Sequence, residues 1–475
     1  MHKDRFLTVR GDRLADAAGR TVTLRGYNVG GFLNMENFLT GYPTTESQHR
    51  AALLRVLGRE RYELFFDRFM AAFFSDDDAR YIASLGMNHA RIPINYRHFE
   101  DDDRPFELKE KGFRLLDEAI AACDRSDIYA ILDLHALPGC QNLHWHSDNP
   151  THHAQFWTHR HFQDRVVNLW ERLAERYRGS AAVAGYNIMN EPADAGGLVI
   201  KPFYDRVVAA VRAVDPDHVI FLDGNRYGTD FSPFEGAEVH PNTVYSAHDY
   251  KTPGLGYGGP YPGVTRGVFV DRAHLERTFL ERTAFMRRTG TPIWIGEFGP
   301  VFTGDPARDD HKYRMLADQL DIYEAHGASW SLWAYKDVGR EGLVYAAPES
   351  PWRRLVDPVV EKKMRLGADS WGAPDDVVRH IIDPIEATFA KEFPDFDPYP
   401  FGRQQWILYL VRSILLAEPM IRDFESRFAG IADDRTVVAL AESFRFADCV
   451  RRQELADLIA AKTGRATRQR ADAGD

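Results

Sequence analysis

The segment Val183-Ala184-Gly185-Tyr186-Asn187-Ile188-Met189-Asn190-Glu191-Pro192 decides the fold. Its run Val183–Met189 is short, mostly apolar and ends on polar Asn-Glu-Pro. That is the pattern of a buried strand running into a loop. Upstream, Val166, Trp170, Leu173 and Tyr177 recur at helical spacing; downstream, Val207, Val211 and Val214 do the same. Each stripe needs a surface to pack on, so the strand lies between amphipathic helices. The unit repeats. Further short apolar runs are Thr23–Asn28, His89–Ile94, Tyr129–Leu134, Val219–Asp223, Thr243–Ala247, Pro292–Ile295 and Ala328–Trp333. Helical stripes such as Leu116, Ile120 and Cys123, or Leu316, Leu320 and Tyr323, lie between most of them. Strands alternating with helices predict an α/β protein, and both a doubly wound sheet and a closed barrel fit. No GxGxxG follows the first strand, which weakens a dinucleotide-binding sheet.

Composition bounds the function. The 475 residues carry 59 Lys+Arg and 70 Asp+Glu, a formal net charge of −11, with 44% hydrophobic residues. A large core is available, and the acidic balance argues against nucleic acid or an anionic membrane as partner. Cys123, Cys140 and Cys449 are odd in number and far apart, which suits neither a disulfide framework nor a zinc motif. Met1–Arg5 runs straight into a strand-like Phe6–Val9 with no apolar leader, so the chain reads as cytoplasmic; a leader removed beforehand would make it secreted. The longest strongly apolar stretch, Trp406–Val411, is far short of a ~20-residue membrane span. Nothing in the sequence sets an oligomeric state.

The opening segment reads as a hairpin. Two long insertions follow strands. Residues 30–74 hold a Gly/Asn/Thr/Pro-rich loop and a helix near Glu60–Phe74; residues 337–373 read as irregular. Such loops usually wall a site. Pro374–Phe393 reads as an eighth barrel helix. The expected organisation is a catalytic domain over 1–394 and a helical C-terminal extension over 395–475, with three helices and a disordered Arg465–Asp475. The extension reads as a support for the barrel rather than a carbohydrate-binding module.

In a barrel, functional groups collect at the C-terminal ends of strands. Those ends read Arg91-Ile92-Pro93-Ile94-Asn95, Asp133-Leu134-His135, Asn190-Glu191-Pro192, His248-Asp249-Tyr250, Gly296-Glu297-Phe298-Gly299 and Trp333-Ala334-Tyr335. Any one of these residues alone would be an ordinary surface, core or ion-pair residue. Together they place two glutamates, Glu191 and Glu297, at the ends of different strands. Retaining glycosidic chemistry needs one acid to protonate the departing oxygen and one carboxylate to attack, about 5–5.5 Å apart. An Asn beside the acid can bind a sugar hydroxyl. An Arg and a Tyr can hold the nucleophile ionised. A Trp can floor the site.

These motifs resemble the retaining glycoside hydrolases of clan A, and within them glycoside hydrolase family 5. Leu24-Arg25-Gly26-Tyr27-Asn28, Gly86-Met87-Asn88-His89-Ala90-Arg91-Ile92-Pro93, Asn190-Glu191-Pro192, His248-Asp249-Tyr250 and Ile295-Gly296-Glu297-Phe298-Gly299 occur in the family's order. The resemblance spans about residues 5–393. It implies a (β/α)8 TIM barrel with Glu191 as acid/base and Glu297 as nucleophile. It places Asn190 on the sugar 2-OH, Arg91 and Tyr250 around the nucleophile, His135 and His248 lining the site and Trp333 beneath the sugar. No cofactor and no metal are expected. Asp133–Asn142 and Gly30–Leu33 resemble exo-acting 1,3-β-glucanases, whereas Asn34–Asn37 depart from them. Exo action on short β-glucosides or oligosaccharides is expected, with a β-mannoside, β-galactoside or glycolipid as alternatives.

Six histidines between His144 and His161 raise a metal-dependent barrel hydrolase as a competing class. Their spacing matches no HExxH pattern. A polar wall loop, with Trp145 and Trp157 touching sugar, is the reading preferred. A non-catalytic sugar-binding protein is the third class; both glutamates being present argues against it.

Overall fold

The computed structural model describes residues 5–368 and 371–464; the expectation for Arg465–Asp475 lies outside them. Eight parallel strands form a closed barrel: β1 (Arg25–Asn28), β2 (His89–Asn95), β3 (Tyr129–Ala136), β4 (Val183–Asn187), β5 (Val219–Asp223), β6 (Thr243–His248), β7 (Ile293–Phe298) and β8 (Ser329–Leu332). β8 closes on β1, Trp330 lying opposite Arg25. The fold is the expected (β/α)8 barrel.

Alternation along the strands sorts the side chains. On β2, Ala90, Ile92 and Ile94 pack outward with the helices, while Arg91 faces the barrel interior. On β3, Leu132 and Leu134 pack outward and Ile131 joins the interior cluster with Val219, Phe221, Val244 and Trp294. Leu14 of the N-terminal three-stranded sheet (Thr8–Arg10, Arg13–Ala15, Thr21–Val22) and Leu7 just before it belong to that cluster and plug the bottom of the barrel. The top stays open for polar groups.

Helices cover most of the outside: Asp76–Ser84 after β1, Glu110–Arg125 after β2, Arg160–Tyr177 after β3, Ile200–Val214 after β4, Arg272–Arg282 after β6 and Pro306–Ala325 after β7. Between β5 and β6 the chain makes only short helical turns, Asn225–Gly228 and Ser232–Phe234. Among the described residues no helix is long and apolar enough to cross a membrane.

Four expectations change, three of them before the C-terminal extension. The helix in the first insertion spans Glu46–Phe73, opened by a capping box between Thr45 and Gln48 and broken at Gly58, whose φ is 73°. The stretch read as irregular over 337–373 contains a helix, Pro351–Leu366, with Ser350 capping and Pro358 in its interior. Burial of Trp352, whose Nε1 donates to the Thr40 carbonyl at 2.8 Å, outweighs the proline's helix-breaking tendency. Finally, the helix Arg379–Glu392, expected in the eighth position, packs instead on Gly402–Tyr409 in a separate cluster with Ile407 and Val411.

The eighth position is filled from the C-terminal extension. Helix Gln453–Lys462 packs on Pro306–Ala325, and Thr463 Oγ1 donates to the Leu85 carbonyl, at the end of the helix after β1, at 2.6 Å. Leu455, Ala456 and Ile459 are buried in the main core. Strand Cys449–Arg451 pairs antiparallel with Val344–Ala346 from the loop after β8. Where three helices were expected beyond 395, the described residues carry four: Gly402–Tyr409, Ile421–Phe428, Asp434–Ala441 and Gln453–Lys462.

Candidate active site

At the top of the barrel the strand ends converge on a pocket of about 480 Å³, lined by His135, Glu191, His248, Tyr250, Glu297 and Trp333 among others. Arg91 and Asn190 lie fully buried beneath it. All eight side chains singled out from the sequence therefore meet in one place.

Glu297 is aimed by a bulge. β7 carries one extra residue against β6, so that Ala247 pairs with Ile295 but His248 with Glu297. The extra residue is Gly296, where a Cβ would stand 2.5 Å from Ser246 Oγ. Only glycine fits, and the bulge turns the next side chain inward. Arg91 Nη1 donates to Glu297 Oε1 at 2.6 Å, and Tyr250 Oη donates to Oε2 at 3.2 Å. Arg91 is itself fixed by Asn28, Asn187 and Asn190 at 2.8–2.9 Å and paired with Asp133 at 3.1 Å. The Glu297 carboxylate thus accepts two hydrogen bonds, one of them from a guanidinium.

Glu191 sits differently. Its φ is +47°, a left-handed conformation that costs a non-glycine residue on the order of 1 kcal/mol. Two bonds hold it there: its N–H donates to Asp223 Oδ2 at 3.1 Å, and Asn142 Nδ2 donates to its carbonyl at 2.9 Å. His248 Nδ1 lies 2.7 Å from Glu191 Oε1 and His146 Nε2 3.2 Å from Oε2. Burial pushes the Glu191 carboxyl up to about 7, the Glu297 charge adding to it and His248 opposing. Burial opposes charge on His248 too, yet the carboxylates of Glu297, Asp223 and Glu191 raise it to about 10. His135, bonded to Asp133 at 2.7 Å, is driven down to about 3 by burial and stays neutral. An oxygen of Glu191, an oxygen of Glu297 and a nitrogen of His248 lie within 4.8 Å of one another.

Trp333 stacks on His135, ring centroids 5.3 Å apart and 12° from parallel. A residue not foreseen from the sequence, Glu36 from the loop after β1, faces His135 Nε2 at 3.4 Å and accepts from Trp145 Nε1 at 3.2 Å. Burial and the two site glutamates raise its carboxyl well above the usual carboxylate range. Asp223 was missed as well, although it ends the fifth strand and the strand-end rule would have flagged it. Tyr227, Trp371, Phe401 and Tyr409 also line the pocket and carried no local signal.

The histidine-rich run divides. His144 and His146 line the pocket, whereas His152 packs on Trp406 and His159 and His161 contact Phe162 at the start of the following helix. Trp145 is a pocket wall; Trp157, expected to touch sugar, is turned inward and donates to the Gln141 carbonyl at 2.8 Å. Among the described residues, the carboxylate and imidazole groups close enough to hold a metal are Glu191, His248 and Glu297, which share the pocket with the other strand-end side chains.

The profile of the family Cellulase (glycosyl hydrolase family 5) matches residues 62–339. A β-xylosidase of Phanerodontia chrysosporium is 43% identical over 463 residues, covering 95% of this chain and 96% of that protein. A probable glucan 1,3-β-glucosidase A of Aspergillus clavatus is 30% identical over 357 residues, 67% of this chain and 84% of that protein. Among solved structures, an endogalactoceramidase aligns with a TM-score of 0.53 at 21% identity over 75% of this chain and 78% of its own. A further glycoside hydrolase aligns with a TM-score of 0.52 at 23% identity, over 72% of this chain and 99% of its own. The two structures share the barrel fold.

Proposed function

The chain belongs to glycosyl hydrolase family 5, and on that basis we propose that it is a retaining β-glycosidase releasing a terminal glucosyl or xylosyl unit by double displacement. The observation that carries the reading is that Glu191 and Glu297 meet in one pocket from the ends of different strands, an oxygen of each within 4.8 Å of the other. Carboxyl groups brought this near suit direct attack, for which about 5–5.5 Å between them is needed. Glu297, aimed by its hydrogen bonds from Arg91 and Tyr250, attacks the anomeric carbon as Glu191 gives its proton to the glycosidic oxygen. The C–O bond to the leaving group breaks and a glycosyl ester to Glu297 forms. Glu191, now a carboxylate, takes a proton from water, whose oxygen displaces Glu297 and restores the β-anomer.

Exo action is supported by the nucleophile side of the pocket. There Glu36, Phe38, Trp145 and Trp333 are buried, and Phe38 and Trp333 pack in one cluster with Tyr250 and Trp371. The identity of the terminal sugar is supported by the names of the two relatives. NMR of the first product from an aryl β-glycoside is expected to show the β-anomer; an α-anomer would remove the double displacement. A screen over aryl β-xyloside, β-glucoside, β-mannoside, β-galactoside and β-fucoside is expected to favour the first two. On oligosaccharides, monosaccharide is expected before any shorter oligomer of internal cleavage.

A further inference from the structure

Behind Tyr250, the tyrosine bonded to Glu297, three residues meet that lie outside the span matched by the family profile, 62–339. They are Glu341 in the loop after β8, Trp371, and Arg412 in the C-terminal extension. The Trp371 ring stands edge to face against Tyr250, centroids 4.9 Å apart and planes at 86°. Phe38 flanks Trp371 at 6.4 Å. Tyr250 is only half-buried, so the direction of its hydroxyl depends on what its ring leans against.

Trp371 is itself held from two sides. Its Nε1 donates to Glu341 Oε1. Glu341 is buried, and the Asp337 carboxylate shapes the turn that carries it, accepting from the N–H groups of Gly339, Arg340 and Glu341 at 2.6, 2.8 and 2.6 Å. An apolar side chain would cost less to bury there. The carboxyl supplies an acceptor that fixes how the indole is turned. On the other side, fully buried Arg412 donates to the carbonyls of Gly367 and Ala373 at 2.6 and 2.8 Å and to Asp375 Oδ1 at 2.8 Å. Those acceptors flank Trp371 in the chain. Tyr250's own loop closes on the same segment: at Gly256, φ +40°, a Cβ would stand 2.6 Å from the Gly372 carbonyl oxygen.

Resting on the reading of Glu297 as nucleophile, we infer that Glu341 and Arg412 are positioning residues that act through Trp371 to hold the Tyr250 hydroxyl on the Glu297 carboxylate. Among the described residues, Trp371 and Tyr250 line the pocket while Glu341 and Arg412 stand behind its wall. The C-terminal extension thereby reaches the reacting carboxylate through two aromatic rings.

The test is a set of double-mutant cycles in the full-length chain, read as kcat/KM on a dinitrophenyl β-glycoside. Tyr250→Phe keeps the ring against Trp371 and removes the hydroxyl. Glu341→Met removes the acceptor of the indole N–H at similar length, whereas Glu341→Gln keeps an acceptor oxygen. With Tyr250 intact, Glu341→Met is expected to lower kcat/KM about tenfold, chiefly through kcat, and Glu341→Gln about twofold or less. In the Tyr250→Phe background, Glu341→Met is expected to change kcat/KM less than about twofold, because the hydroxyl it would misplace is gone. Arg412→Lys, which keeps the buried charge but lacks the planar fork that spans the three acceptors, is expected to follow the same pattern. A loss of equal size in both backgrounds overturns the proposal. So does full activity of Glu341→Met with Tyr250 in place, or an equal loss in Glu341→Gln and Glu341→Met. The cycles report only whether these residues act through the Tyr250 hydroxyl. Failure of the nucleophile reading would show instead as activity retained in Glu297→Ala.

Discussion

Glu297→Ala is expected to lower kcat/KM on an aryl β-glycoside by about 10⁴-fold or more, about 5 kcal/mol at ~1.36 kcal/mol per decade. No other carboxylate can replace it: Arg91 Nη1 and Tyr250 Oη converge on this one group, and Glu191 is committed to the proton. The fold should survive. Arg91 keeps Asp133 at 3.1 Å and three asparagine partners, so the substitution does not strand a buried cation. Added azide should enter the vacated space and produce the α-glycosyl azide, reporting that attack comes from this face. Glu297→Gln, nearly isosteric, separates loss of the nucleophile from loss of packing. Activity near that of the unsubstituted chain in either variant would end the nucleophile assignment.

Glu191→Gln should act on a different axis. General acid catalysis contributes about 10²–10⁴-fold. That loss in kcat/KM is expected for substrates with poor leaving groups, such as a disaccharide, and should largely vanish for a dinitrophenyl glycoside, whose departing phenolate needs no proton, while kcat on the latter still falls because the glycosyl ester needs the Glu191 base. The pH profile follows from burial. Only protonated Glu191 can donate, and its carboxyl is raised to about 7. Activity of the unsubstituted chain should therefore decline as pH rises through about 7. In Glu191→Gln that basic limb should be gone. A limb that persists in the variant, on a substrate that needs protonation, would place the acid elsewhere. The imidazolium of His248, 2.7 Å from Glu191, favours the carboxylate and keeps the value from climbing further.

Local pattern carried much of this site. Arg91, His135, Glu191 and Glu297 could be read because each stands at or near the C-terminal end of a short apolar run, where a barrel collects its polar groups, whereas the bulge at Gly296 that aims Glu297 emerged only in the fold. Glu36, by contrast, lies in an insertion whose path no periodicity describes. The helix Pro351–Leu366 was hidden by its own prolines, since propensity is a local quantity and the burial of Trp352 is not. Arg379–Glu392 had the pattern of a barrel helix but not the place. Apolar spacing states that a face must be buried without stating against what.

Order along the chain was enough to determine the alternating strands, the polar groups at their ends and the meeting of Glu191 with Glu297 at one site. Those features depend on contacts a few residues long and on a barrel geometry that repeats. The distance between the carboxylates, the raised proton affinities of Glu191 and Glu36 and the C-terminal helix in the eighth position were decided only when the barrel closed. Dehydration of a charge and the meeting of loops from residues 36, 144, 227, 371 and 409 are properties of the enclosed volume, which no single segment possesses.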